Sequence, residues 1–450
     1  MRGLRVLITN NTLGERRGSE LYVRDVAIAL LRLGHRPIAY SRSLGQVAEE
    51  LRLAAVPVVD DFSQLGETPD LIHGHHNLET MTALLRLPAT PAVFFCHGWL
   101  PWEEAPPPAP RILKYVAIDE ACRDRLALQN GITPDRIEVV PNFVDLERFR
   151  PRAPLPPRPQ RALVFSNYAT DGSSLPAIRA ACAAEGLDVD VAGYGCGRVL
   201  DRPEAVLGSY DLVFAKARAA LEAMAVGTAV IACDFTGLGG FVSPDRFDEW
   251  RRLNFGLRCL HRPLDVGAIR TEIRAYDPAA AAAVSRRVRC EAGLDTAIHR
   301  IVTIYQNVLE EWRARPTVDP LAEAAATAAY LRQLEPRVKT QDRAWSELLA
   351  ERNLLAQRLS DSVEAARGGE IAAFTEMRRM SDAEIETLRA TRAALENRIE
   401  EAERETKGLR LELEAIRQLS TFRLRAWLFR SPKLVSFYQT LRGRGARSAP

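Results

Sequence analysis

Residues 210–227 read YDLVFAKARAALEAMAVG, and three side chains in that stretch can do chemistry: Lys216, Arg218 and Glu222. The two cations can neutralise a phosphate, and the carboxylate can grip the paired hydroxyls of a sugar. The apolar run 212–214 reads as a strand that turns into a helix carrying Glu222 and closing at Gly227. In parallel α/β sheets ligands bind beyond the carboxyl ends of strands, so groups at this turn face a cleft. Taken alone, the same residues also fit an ordinary helix with a surface Glu and two surface cations. Residues 228–234, TAVIACD, form the next buried-type strand, and Gly237, Gly239 and Gly240 read as an open exit loop that lets a ligand approach the backbone.

Other candidates lie upstream. Gly18 and Ser19 open a helix and offer either an anion site at its N-terminus or simple capping. Gly193 and Gly195 in GYGCG allow close backbone approach to a ligand, or merely a tight turn. His97, in FFCHGW, ends a strand, where a neutral imidazole can hydrogen-bond a sugar hydroxyl and Trp99 can stack on a sugar ring. The alternative is a structural His beside a core Trp. His73, His75 and His76 look metal-like, but no carboxylate or Cys is arranged as a further ligand, so no metal site is expected.

These groups need elements to position them. Residues 4–9 read as a buried strand, a polar loop follows, and Tyr22, Val26, Leu30 and Leu33 give a helical spacing that stops at Gly34. The alternation continues with strands at 37–40, 56–59, 71–73, 92–96, 115–118 and 137–140, and Pro57 makes the second of these an edge strand. Residues 150–161, RPRAPLPPRPQR, can build neither helix nor central strand and read as a semi-rigid linker. A second series follows: strand 162–166, helix 175–184, strand 189–193, then the strand and helix around Glu222. The fold class is therefore α/β, with two Rossmann-like domains facing a cleft. The expected boundaries are 1–150, a linker at 151–161, and 162–315.

The formal charge of +3 hides an uneven distribution, because residues 421–450 carry seven Lys or Arg and no acid, leaving about −4 on the rest. Seven cysteines without C-x-x-C spacing favour reduced thiols in a cytoplasmic protein over disulfides or zinc. No signal peptide and no transmembrane helix is expected.

Three blocks, GSELYVRDVAIALLRLGH (18–35), VVPNFVDLERFRPR (139–152) and LEAMAVGTAVIACD (221–234), resemble, in order and separation, those of the GT-B glycosyltransferases of the group 1, or family 4, type. The resemblance covers roughly 1–315. It implies transfer of a sugar from a nucleotide-diphosphate donor, usually with retention of anomeric configuration, with no bound metal or other cofactor. It also implies that the loop at Gly18 and Ser19 approaches the donor diphosphate, that Gly193 and Gly195 lie near the nucleotide, that His97 lies near the transferred sugar, and that Glu222 holds the ribose as the second Glu of a Glu-x7-Glu motif. The first Glu of that motif is replaced by Phe214, and the loop 167–174, NYATDGSS, lacks the Arg and Lys the family usually places there. Lys216 and Arg218 are candidates to substitute for that pair.

Beyond Trp312 the chain turns rich in Ala, Leu, Glu and Arg, and 321–420 reads as a helical coiled coil. One seam runs Leu331, Leu334, Val338, Trp345, Leu348, Leu355 and Leu359, and a second runs from Ile371 to Ile416, with Gly368 and Gly369 between them. A homo-oligomer through 331–416 is expected, an antiparallel hairpin or a single helix packed on the body being the alternatives. The tail 421–450 interleaves aromatics with its cations, a pattern suited to an anionic membrane surface rather than nucleic acid. That places the protein at the inner face of the membrane, with a glycan or lipid-linked acceptor. Two other readings stay open: a nucleotide-sugar epimerase on the same fold, and a non-catalytic scaffold or binding subunit with the coiled coil as its working part.

Overall fold

The computed structural model describes residues 3–314 and 318–367, with isolated helical positions between 379 and 394. The first sheet has seven strands: β1 (Arg5–Thr9), β2 (Arg36–Tyr40), β3 (Val58–Val59), β4 (Leu71–His75), β5 (Ala92–Cys96), β6 (Ile112–Ala117) and β7 (Ile137–Val139). Their order is β3-β2-β1-β4-β5-β6-β7 and every pairing is parallel. Both faces are covered, so the strands read as unbroken apolar runs. In β1 the two-residue period sends Val6 and Ile8 into one core and Leu7 into the other. Helix α1 (Gly18–Arg32) buries Tyr22, Val23, Val26 and Leu30, and Gly34 ends it at φ 80°, a conformation that suits a residue without Cβ. Helix α2 (Asn77–Arg86) follows β4 directly, and Pro57 does precede the edge strand β3.

The second sheet holds β8 (Arg161–Phe165), β9 (Asp188–Ala192), β10 (Leu212–Ala215), β11 (Ala229–Asp234) and β12 (Gly237–Phe241), in the order β12-β11-β10-β8-β9. Helix α3 (Ala217–Val226) leaves β10 after one residue and ends at Gly227, φ 96°. Here the structure corrects the expected exit loop. Gly237, Gly239 and Gly240 lie in an antiparallel strand paired with β11, pressed against residues 259–262. A Cβ on Gly239 would sit 2.9 Å from the Cys259 carbonyl oxygen, so these glycines serve strand packing.

The expected second domain, 162–315, also needs correction. Helix α4 (Leu294–Ala314) carries Leu294, Ile298, Ile301, Tyr305 and Val308 on one stripe, and that stripe packs with Val23, Val26 and Leu30 in the core of the first domain. The chain crosses back so that this stripe and α1 together cover one apolar face of the first sheet. Helix α5 (Pro320–Arg367) then runs along the first domain, burying Tyr330 and packing Leu334 on the core that holds Phe94 and Ile112. No helix among the described residues is long and apolar enough to cross a membrane. Apart from isolated positions, the seam 371–416 lies outside the described residues, as does the whole tail 421–450.

Candidate functional site

The carboxyl ends of both sheets face one another across a cleft. At one side the loop between β1 and α1 touches the turn after β9: the Arg16 amide donates to Tyr194 Oη at 2.8 Å, and the Arg17 guanidinium lies 5.2 Å from the Tyr194 ring centre. Gly18 and Ser19 thus sit across the cleft from Gly193 and Gly195. Gly193 has φ 145°, and a Cβ there would lie 2.0 Å from the Ser166 carbonyl oxygen, so the turn closes on the exit of β8 only with glycine. No side chain caps α1; Ser19 Oγ instead donates to Glu20 Oε2 at 2.9 Å. The first-turn amides are therefore not tied up by a cap.

Farther along the cleft a cavity of about 300 Å³ separates His97 and Trp99 of the first domain from Tyr168, Lys216 and Phe235 of the second. Lys216 is the single residue between β10 and α3, and its ammonium pairs with the buried carboxylate of Asp234. It also lies 4.9 Å from the Tyr168 ring centre and 5.7 Å from that of Phe235, and those two rings are 5.4 Å apart and half exposed. A cation flanked by two aromatic faces thus borders the cavity. The next residue, Ala217, is held at φ 48°, strained for a residue with Cβ, and its amide donates to the Phe255 carbonyl at 2.9 Å. That turn opens α3 toward the cavity with no side-chain cap.

His97 meets the cavity from a stack of rings. It lies 4.6 Å from His75 and 4.5 Å from Tyr22, while His73 stacks on Phe95 and bonds Tyr305. Burial pushes the His97 pKa down to about 4, His76 adding to the effect and Glu104 opposing it, so the ring is neutral at neutral pH. The backbone amide of His97 donates to Glu104 Oε2 at 2.8 Å, and Glu104 Oε1 lies 3.5 Å from His76 Nε2. Burial alone would raise the Glu104 pKa, but the bond from His76 holds it below the usual range. No group of three or more His, Cys, Asp or Glu among the described residues is arranged to hold a metal ion.

Arg218 and Glu222 are placed differently from the sequence expectation. Neither lines the cavity. Arg218 Nε donates to Glu222 Oε1 at 2.8 Å, and its Nη2 bonds Asp25 on α1 of the other domain. Glu222 is 4% exposed and Asp25 likewise 4%. Arg24 and Arg148 approach Asp25 at 2.7 and 3.7 Å, and reach Glu50 and Glu204 beyond it. Burial works to raise the Asp25 pKa, yet Arg218 and Arg24 hold it at about 2, whereas burial leaves Glu222 raised despite Arg218. The three residues tie the two domains together.

Phe214 is inside β10 and 1% exposed. With one residue between strand and helix, the position eight before Glu222 falls in the sheet core, where a carboxylate has no access to a ligand. Tyr168, Phe235, Asp234, Tyr194, Asp25 and Glu104 were not singled out by the sequence. Glu104, in HGWLPWEE, carried a signal as an acid closing the loop that His97 opens. Asp25 carried none, since its partner Arg218 is 193 positions away.

Two Rossmann-like domains with a cleft between the carboxyl ends of their sheets define the GT-B class of glycosyltransferase fold. Residues 16–148, within the first domain, match the model of Glycosyltransferase Family 4. No curated protein matches the chain. Among solved structures, a glycosyltransferase from Rickettsia africae ESF-5 is similar in fold at 14% identity and TM-score 0.50, covering 69% of this chain and 99% of its own. Anabaena Alr3699/HepE, solved with UDP and glucose, aligns at 15% identity and TM-score 0.49, over 68% of this chain and 100% of its own. A putative UDP-N-acetylglucosamine 2-epimerase from Listeria monocytogenes aligns at 12% identity and TM-score 0.41, over 69% and 98%.

Proposed function

We propose that the protein transfers a sugar from a nucleotide-diphosphate donor to a glycan or lipid-linked acceptor, with retention and without a bound metal. The observation that carries this reading is that His97 and Lys216, from opposite domains, border one cavity. Cleavage of a sugar–phosphate bond builds negative charge on the departing diphosphate. Lys216 and the uncapped start of α3 supply positive potential at that place. Tyr168 and Phe235 offer faces for a ring to stack against, and neutral His97 offers a hydrogen bond to a sugar hydroxyl. Gly18, Ser19, Gly193 and Gly195 complete the donor side around Tyr194. Arg218 and Glu222 contribute by fixing α3 against α1, with the diphosphate left to Lys216.

A second reading, a nucleotide-binding scaffold without catalysis, draws on one observation. Phe214 is in the sheet core, so no carboxylate replaces the family's first motif Glu at that place. In either reading the tail 421–450 rests on anionic membrane at the cytoplasmic face and the helical extension 331–416 pairs with a second copy.

The test is calorimetric titration of UDP, GDP, ADP and TDP into the full chain and into Lys216→Ala. Saturable binding of one nucleotide, weakened at least tenfold in the variant, supports a donor site at Lys216. No binding of any of the four to folded protein rejects it. Where binding is found, release of free sugar or its transfer from the matching nucleotide sugar separates enzyme from scaffold.

A further inference from the structure

Helix α5 does more than lead into the extension. Its first half is held to the first domain at three points, the last two of them at the wall of the cleft. At its start Glu323 pairs with Arg111 at 3.0 Å, and the buried Arg111 also donates to the carbonyls of Leu87 and Thr90 at 2.7 and 2.9 Å. Two turns on, Tyr330, 6% exposed, hydrogen-bonds through Oη to Asn77 Oδ1 at 3.0 Å. Asn77, the first residue of α2, donates from Nδ2 to the Trp102 carbonyl at 3.0 Å. Two turns farther, the Arg337 guanidinium lies 4.3 Å from the centre of the Trp102 ring. Helix α5 therefore holds the Trp102 ring directly through Arg337 and the Trp102 carbonyl indirectly, through Tyr330 and Asn77.

Trp102 belongs to the segment 97–105, which begins at His97, lines the cavity through residues 97–101, and ends in the short turn that carries Glu104. Glu104 is the residue that receives the His97 amide. We propose that Tyr330 and Arg337 are positioning residues for this wall: α5 clamps Trp102 from outside, which sets Glu104 and, through it, the backbone of His97. The proposal concerns the geometry of the cleft and holds whichever reaction the cleft runs.

The experiment is hydrogen exchange, read by mass spectrometry on the full chain, for the native protein, Tyr330→Phe, Arg337→Ala and Arg337→Lys. Loss of one hydrogen bond or one cation–π contact at the clamp is expected to speed exchange of amides in 97–105 about five- to tenfold. Amides of β1 and β4 keep their rates, and Arg337→Lys, which retains a cation over the ring, restores most of the protection. Unchanged exchange in 97–105 in both Tyr330→Phe and Arg337→Ala overturns the proposal. So does equal acceleration across the whole first domain, because that pattern belongs to a helix that only stabilises the fold.

Discussion

Arg218 on the second domain bonds Asp25 on the first while its Nε holds Glu222 at 2.8 Å. One guanidinium thus spans two carboxylates that are each 4% exposed, and it does so across the domain interface. A planar, always charged fork suits this task better than an ammonium. The arrangement makes closure of the two domains depend on a buried ion pair rather than on apolar contact alone.

Asp25→Asn is expected to cost about 3 kcal/mol, because it removes one partner of a buried pair and leaves the others desolvated. Chemical denaturation reads the loss, and small-angle scattering reads a wider separation of the domains. Combining Asp25→Asn with Arg218→Met is expected to cost less than the sum of the single changes, since the residues share one interaction.

Ala217→Gly is expected to stabilise the chain by about 1 kcal/mol. The native φ of 48° is costly with a Cβ and freely available to glycine. A higher midpoint in denaturant with an unchanged slope is the readout. A lower midpoint means that the entropy glycine adds to the unfolded chain outweighs the relief of strain.

Acid is expected to destabilise the first domain through its stacked imidazoles. His97 has a folded pKa of about 4, below the ordinary 6.5, because burial disfavours its charged form. The unfolded chain therefore binds more protons, and stability present above about pH 6.5 is lost as pH falls. For His97 the loss reaches about 3 kcal/mol by pH 4. His73 and His75, driven well below 6.5 by burial, act in the same direction. His76 opposes them, because despite its burial the bond to Glu104 raises its pKa, giving stability that is present below pH 6.5. Stability curves between pH 7 and 4 show the net fall.

His75→Phe tests the source of that fall. Neither ring nitrogen of His75 has a hydrogen-bond partner among the described residues, and the ring stacks between Phe95 and His97. A phenyl ring keeps the stack and removes a buried base, so the acid limb is expected to flatten with little change at pH 7.

Lys216→Met is expected to abolish stacking-assisted binding of nucleotide diphosphates, read by calorimetry, at some cost in stability because the buried Asp234 loses its cation. The variant leaves the buried Asp234 with Ser166 Oγ, 3.0 Å away, as its remaining donor among the described residues, so a lower midpoint in denaturant accompanies the loss of binding.

Most of the fold was legible in the sequence because its signals are local. The apolar runs of β1, β5 and β11, the helical spacing of Tyr22, Val26 and Leu30, and the stops at Gly34 and Gly227 each follow from backbone sterics and burial over a few residues. Lys216 and His97 were legible as site candidates for the same reason: each ends a strand, and strand ends face the cleft. What the sequence could not reveal depends on where a stripe or a charge finds its partner. The apolar face of Leu294–Ala314 is plain in the sequence, but only packing assigns it to the first domain rather than the second. The glycines after β11 read equally as an open loop or a packed strand, and the nearness of residues 259–262 decides for the strand. Glu222 looks like a free carboxylate in LEAMAVG, and only the folded chain brings Arg218 and the distant Asp25 into reach of each other. Local periodicity is written in consecutive residues, whereas the neutralisation of a buried charge is decided by whichever opposite charge the tertiary fold delivers.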